Sequence, residues 1–355
     1  MPAVRAAILC GGAGTRLWPV SNDAAPKQFH PLIGDKSLLA ATVARALDFA
    51  HDRPPLIVTN AAFAREARAH ATAGGASDAV LLLEPSPRNT APAAAFAAHA
   101  ALADDEDAIL ALLASDHHIA NGPEFTRVIG EAAKLAAEGK FVTLGIVPTS
   151  PNTGYGYIRA GAAHGSGFDV AQFVEKPDIS TAVKFVTSGD YYWNAGIFVF
   201  RARDFLSELE LHRPDIAALA EAAWEKSRMT DEGRIADPKL WAACPSESID
   251  YAVAEKSTHA AMVPAAIGWS DVGSWATLME LAPRDEAGNA LIGTARALDS
   301  KGCYVRASSR NVVVIGADDM IVVETADAVL VVHKDKTQSV KQAPGLFAPK
   351  AVAAE

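Results

Sequence analysis

Gly11-Gly12-Ala13-Gly14-Thr15-Arg16-Leu17-Trp18-Pro19 places glycines and a cation directly after a short apolar run. At the end of a strand, glycines let main-chain N–H groups approach a phosphate more closely than bulkier residues would. A second cation follows in Pro26-Lys27-Gln28-Phe29. Nucleotidyl transfer must stabilise charge on an α-phosphate and on departing pyrophosphate, and fixed cations do that. Two other phosphate-binding spellings are absent. No Gly-Lys-Ser/Thr closes the loop as a Walker A would, and Leu17 stands where a dinucleotide fingerprint needs its third glycine. Singly, Arg16 and Lys27 read as surface charges beside a turn. Together in one glycine-rich segment they point to phosphate chemistry.

Two aspartates could serve a metal. Asp116 lies in Ala114-Ser115-Asp116-His117-His118, and Asp271 in Gly268-Trp269-Ser270-Asp271-Val272-Gly273-Ser274-Trp275. Mg²⁺ is held by one or two carboxylates, waters and substrate phosphate oxygens, and two distant aspartates meet that need. The plainer reading makes each a turn residue or helix N-cap. His117 and His118 read as hydrogen-bonding partners, since no Cys or acidic partner stands at transition-metal spacing. In Glu84-Pro85-Ser86-Pro87-Arg88-Asn89-Thr90, the prolines stiffen a loop and Asn89-Thr90 can cap the next helix. Hydroxyl readers and a phosphate-binding cation are available in Gly154 to Tyr157, in Glu175-Lys176 and at Asn194. An adjacent Glu-Lys pair is otherwise an ordinary surface pair.

These residues need a scaffold, and the apolar pattern supplies one. Runs at Arg5 to Cys10, Leu56 to Thr59, Ala79 to Glu84 and Ala108 to Ala114 are short and continuous. Helical stretches separate them: Ser37 to Phe49, Ala61 to Ala71 and Ala91 to Ala103, with Glu124 to Glu138 after the last. Buried parallel strands in βαβ units have this pattern, so the expected fold is α/β: a doubly wound, mostly parallel, Rossmann-like sheet. Its ligands would sit beyond the carboxyl ends of the strands. Tyr155 to Phe200 reads as antiparallel, and Phe205 to Ala243 as helical. Asn311 to Ile315, Ile321 to Glu324 and Val329 to Val332 are β-branched runs without helical period, expected to form a small β-helix-like module. The expected domains are 1–283 and 284–343, followed by a frayed tail, 344–355.

The 355 residues carry a formal net charge of -10, which argues against nucleic-acid or anionic-membrane surfaces and makes any phosphate site local. The chain shows no signal-peptide pattern and no apolar run long enough to span a membrane. Cys10, Cys244 and Cys303 are far apart and fit free thiols in a reducing, cytoplasmic setting.

From Gly11 to Pro19 with Pro26-Lys27, the chain resembles the sugar-nucleotide pyrophosphorylases. Trp18-Pro19, Lys27-Gln28-Phe29 and Arg88-Asn89-Thr90 resemble in particular the branch that joins mannose 1-phosphate to GTP. The resemblance covers about residues 4–283, and the β-rich C-terminus more loosely. It implies that Gly11, Gly12, Gly14 and Thr15 cradle the nucleotide, with Arg16 and Lys27 on its phosphates. Glu84, Arg88 and Asn89 would belong to the nucleotide pocket, and Asp116 and Asp271 would hold Mg²⁺. Gly154, Glu175, Lys176 and Asn194 would line the sugar-phosphate pocket beside Asp271. One departure is Ala114, where relatives often carry proline. The implied reaction is transfer of GMP from GTP to mannose 1-phosphate, with a homodimer as the expected assembly. Longer relatives add an isomerase domain, and isomerase activity is not expected of these residues. The alternatives are another sugar 1-phosphate or base, or a silent sugar-nucleotide-binding subunit. The silent subunit predicts loss of Arg16, Lys27, Asp116 or Asp271, and all four are present.

Overall fold

The computed structural model describes residues 2–12 and 14–347. Ala13 of the glycine loop and residues 348–355 of the expected tail lie outside them. The chain forms two compact units. One comprises Met1–Gly11 and Leu39–Trp269; the other comprises Gly12–Leu38 and Ser270–Glu355.

The larger unit is built on an eleven-stranded sheet. Its first strands are β1 (Val4–Cys10), β2 (Leu56–Asn60), β3 (Val80–Glu84) and β4 (Ile109–Ala114). Between them run helices α1 (Leu38–Leu47), α2 (Ala64–Ala73) and α3 (Thr90–Leu102), with α4 (Gly122–Ala137) following β4. The remaining strands are β5 (Phe141–Ile146), β6 (Tyr157–His164), β7 (Gly167–Val174), β8 (Tyr191–Arg201), β9 (Arg228–Met229), β10 (Arg234–Ile235) and β11 (Ala260–Pro264). Their order is β9-β10-β3-β2-β1-β4-β8-β5-β11-β7-β6. Only β7, β8 and β9 run against the others, so the sheet is mostly parallel, as expected.

β1 lies between β2 and β4 and is parallel to both. Strand order therefore reverses at β1, the position where open α/β sheets bind ligands. Helix α3 is apolar around its whole circumference because it is almost all alanine, and its small side chains pack close to their neighbours. Phe96 is its one large fully buried residue, set edge-on between Trp224 and Trp241. Two features depart from the sequence reading. β5 and β11 form an additional parallel pair, and the segment read as helical from Phe205 contains the β9–β10 hairpin.

In the smaller unit, β12 (Ala290–Leu298), β13 (Tyr304–Ile315), β14 (Met320–Glu324) and β15 (Val329–His333) form one sheet in that order. β12, β13 and β14 are parallel, and β15 returns antiparallel. Short links between parallel strands require the chain to coil, so this is the expected β-helix-like module. The unit also encloses N-terminal residues. Leu17, Leu32 and Leu38 share one core with Val272, Trp275, Tyr304, Ile321 and Val323. Pro344–Leu346 adds a turn of 3-10 helix, and Phe347 stacks on Trp18 at 6.0 Å.

β13 turns a corner where its pairing with β12 passes from Ala307 to Val312. The Glu324 carboxylate fills that corner. It accepts from the main-chain N–H groups of Ser308 and Ser309 at 2.9 Å, from that of Arg310 at 3.2 Å and from Arg310 Nε at 2.8 Å. The Ser309 hydroxyl donates to it as well. These donors hold the carboxyl far below its ordinary range, with the Ser309 hydroxyl first among the causes. A lowered folded pKa gives stability that is present above the unfolded carboxylate pKa and lost as pH falls through the folded one. Glu324→Gln is therefore expected to lower the melting temperature by a few degrees at pH 7 and to flatten the acid limb of melting temperature against pH. Thermal melts across pH 2–7 measure both.

Candidate active site

In the smaller unit the glycine loop and Lys27 form one device. Gly14 is left-handed at φ 64°, and a Cβ there would stand 2.7 Å from Cγ of Lys27. Only glycine lets the lysine stem lie against the loop. Lys27 is 9% exposed, and its ammonium donates to the carbonyls of Asp271 at 3.1 Å and Val272 at 3.3 Å. Thr15–Leu17 form a single 3-10 turn that buries Leu17 and leaves Arg16 exposed. Trp275 Nε1 donates to the carbonyl of Trp18, whose bond to Pro19 is cis.

Asp271 is not a helix cap. The following helix, Trp275–Leu281, is capped by Ser274, which accepts from Thr277 N. The Asp271 carboxylate accepts from Gly273 N at 3.2 Å, and a Cβ on Gly273 would stand 2.5 Å from its Oδ2. Glycine at 273 gives the carboxylate its room, and an oxygen donor in such a setting suits Mg²⁺.

In the larger unit Gly11 follows β1 directly and Asp116 lies just past β4. Ser115 N donates to the carbonyl of Leu9 at 3.0 Å, extending the parallel ladder to within one residue of Asp116. Asp116 is half-buried and is not a cap either, since Asn121 caps α4. Arg45 fixes the turn by donating to the carbonyl of His117 at 3.2 Å. His117 Nδ1 accepts from Trp269 Nε1 at 3.2 Å, so a neutral His117 carries its proton on Nε2.

Glu84 ends β3, and burial alone pushes its carboxyl up to about 7. Asn89 caps α3 by accepting from Thr90 N, at the cost of a left-handed φ of 65°. Arg88 donates through Nε and Nη2 to the carbonyls of Trp241 and Ala242. Its remaining N–H groups are what it can offer a nucleotide.

Of the sugar-side residues of the sequence reading, Gly154, Glu175, Lys176 and Asn194 lie in this unit and Asp271 in the smaller one. Gly154 N donates to Asn152 Oδ1 in a turn ahead of β6. The Glu175 side chain is only 6% exposed, so the Glu-Lys pair is no ordinary surface pair. Its Oε1 accepts from Lys176 Nζ at 2.7 Å, while Oε2 is buried against Gly156 without a hydrogen bond among the described residues. Burial, and next the charge of Asp250, raise the Glu175 carboxyl. Burial is the largest single influence on the Lys176 ammonium and lowers it, but the Glu175 hydrogen bond and the charges of Glu175 and Asp250 together outweigh it and the net direction is up. Tyr155 packs edge-on against both Trp193 and Trp269 at 5.1 Å.

The model of the nucleotidyl transferase family matches residues 5–288, most of the chain. The chain belongs to the nucleotidyl transferase family. A second model, the mannoseP isomerase/GMP-like beta-helix domain, matches residues 293–343. This nucleotidyl transferase is 45% identical over 335 residues to the xanthan biosynthesis protein XanB of Xanthomonas campestris pv. campestris (strain B100). The match covers 94% of this chain and 71% of that protein. It is 42% identical over 342 residues to mannose-1-phosphate guanylyltransferase ManC of Salmonella typhimurium (strain LT2), with coverage of 94% and 71%. Among solved structures, mannose-1-phosphate geranyltransferase from Thermus thermophilus matches with a TM-score of 0.86 at 32% identity, covering 97% of this chain and 99% of that one.

Sequence reasoning passed over three residues that hydrogen-bond to candidate site residues or their immediate neighbours: Arg45, Thr143 and Asp250. Arg45 sits in a helix and Thr143 in a strand that sequence reading did not find. Asp250 opens a π-helical turn, Asp250–Ala254, and such turns often mark functional sites. The only signal in the sequence was an acidic residue inside the apolar Ile249 to Val253 stretch.

Gly14→Ala would strain a left-handed position and displace Lys27. It is expected to lower kcat/KM at least tenfold, on the scale of a partly lost electrostatic contact, with little change in melting temperature. Steady-state kinetics beside thermal melts test this, and unchanged kinetics would separate Gly14 from Lys27.

Proposed function

We propose that the chain transfers GMP from GTP to α-D-mannose 1-phosphate, giving GDP-mannose and pyrophosphate. The observation that carries the reaction type is Lys27, a buried ammonium packed along the left-handed glycine of a phosphate-type loop. Choice of mannose and guanine is supported by the resemblance to relatives named for mannose-1-phosphate guanylyltransferase.

In this reading a phosphate oxygen of mannose 1-phosphate attacks the α-phosphorus of GTP in line. A new phosphorus–oxygen bond forms, and the bond to the bridging oxygen breaks with its electron pair leaving on pyrophosphate. The nucleophile is already anionic near neutral pH, so no side chain need remove a proton. Arg16 and Lys27 bind and neutralise the phosphates, while the N–H groups of Gly11, Gly12, Gly14 and Thr15 orient them. Asp116 and Asp271 would hold Mg²⁺, which supplies charge neutralisation on the phosphates when bound. Gly154, Glu175, Lys176 and Asn194 bind the sugar phosphate. The proposal includes domains at 1–283 and 284–343 with a tail at 344–355, a cytoplasmic setting and a homodimer.

Glu84, helped by Arg88 and Asn89, reads the base. The guanine edge presents N1–H and N2–H side by side, and a carboxylate accepts both. Binding them favours the ionised form, so the KM for GTP is expected to fall as pH rises through about 7, where Glu84 titrates. Without nucleotide the sign for stability is opposite. A raised folded pKa gives stability that is full below the unfolded carboxylate pKa and fades as pH rises past the folded one. Glu84→Gln is expected to remove the pH limb in KM and to narrow the preference for GTP over ATP about tenfold or more. Initial rates with both nucleotides at pH 6–8.5 decide the point.

The substrate test is a matrix of four nucleoside triphosphates against mannose, glucose and fucose 1-phosphates, read as pyrophosphate release. Preference for any pair other than GTP with mannose 1-phosphate would overturn the specific assignment. Lys27→Ala and Asp271→Asn are each expected to lower kcat about a hundredfold or more, the scale of a lost electrostatic contact. A near-normal rate in either variant removes that residue from the mechanism.

A further inference from the structure

Asn194 is set among groups that determine which way its amide faces. Its Oδ1 accepts from the Thr143 hydroxyl at 2.7 Å and from Gly196 N at 3.0 Å. Gly196 is left-handed at φ 64°, which allows its N–H to turn back toward the side chain two residues earlier. On the other side Nδ2 donates to Asp250 Oδ1 at 2.8 Å. A main-chain N–H can only donate and a carboxylate can only accept, so the two ends of the amide cannot be exchanged. Both Oδ1 lone pairs are engaged, and one N–H on Nδ2 is left over. Asn194 is 7% exposed, its own main-chain N–H is held by the carbonyl of Gly156, and Thr143 beneath it is buried. Asp250 stands at the head of the π-helical turn, and its carboxylate is the group that orients Nδ2.

Resting on the reading of Asn194 and Glu175 as sugar-binding residues, we propose that Asp250 is a positioning residue for sugar recognition. It turns the Asn194 amide so that the sugar is offered an N–H and never the carbonyl oxygen. Acceptor capacity beside the amide is then supplied by the Glu175 carboxylate, which Lys176 holds through Oε1. A sugar hydroxyl satisfies both neighbours by accepting from Asn194 and donating to Glu175. Asp250 does this without touching the substrate.

The test uses the full chain and mannose 1-phosphate as probe. Asn194→Ala is expected to raise its KM at least tenfold while the KM for GTP stays within twofold. Asp250→Ala is expected to match that change, and the double variant to be no worse than Asn194→Ala alone, because both remove one interaction. Asp250→Asn can still accept from Asn194 Nδ2 and is expected to return the KM to within threefold of the parent. If Asp250→Ala does not fold, Asp250→Ser takes its place in the cycle. Multiplying effects in the double variant, or Asp250→Asn as impaired as Asp250→Ala, would overturn the positioning role. An Asp250→Ala KM for mannose 1-phosphate equal to the parent's would overturn it too. If Asn194→Ala itself leaves that KM unchanged, the sugar-site reading fails instead.

Discussion

The parallel pairing of β1 with β4 is the constraint on which the larger unit depends. Six consecutive residue pairs, from Val4 with Ile109 to Leu9 with Ala114, set one register. The Ser115 to Leu9 hydrogen bond then carries the ladder past the strand end. A slip by one residue would exchange the two faces of the strand, misplacing Ile8 and Leu113 within the packing, and would move Asp116 away from the point where strand order reverses. Both strands are buried on both faces, so the register is specified by the fit of particular side chains in close packing and not by alternation.

Much of this was legible because each feature has a local cause. Continuous apolar runs between helices gave the parallel strands β1 to β4, and Asn89 caps α3 as its residue type suggested. What was missed depends on partners far away in the chain. β11 reads Ala-Ala-Met-Val-Pro and is too short to declare itself until it pairs with β5, more than a hundred residues earlier. The β9–β10 hairpin is four strand residues at a sheet edge, below the length at which alternation can be read. Asp250 looked like one acidic residue among many, and its meaning arises from Asn194, fifty-six residues away.

A chain of net charge -10 that handles anions must place its few cations carefully. Lys27 is buried with its ammonium on the backbone carbonyls of Asp271 and Val272, which fix where its charge points. Lys176 is paired with Glu175, yet Asp250 stands near and leaves this cluster acidic. The two lysines therefore differ in kind. One is aimed by main-chain carbonyls, and the other balances carboxylates that hydroxyl groups can address.

Leu17, inside the glycine loop, is 1% exposed in a core whose other members include Tyr304, Ile321, Val323 and Leu330. The loop is synthesised well before the residues beneath it. Chains grow at about 5–20 residues per second, and domains fold as their parts emerge. Strands β1 to β4 are complete at Ala114, whereas the residues that floor the phosphate loop, Tyr304 to Leu330, follow nearly two hundred residues later. A nascent chain thus carries the sheet's first strands and an unsupported loop for some seconds before the residues beneath the loop emerge.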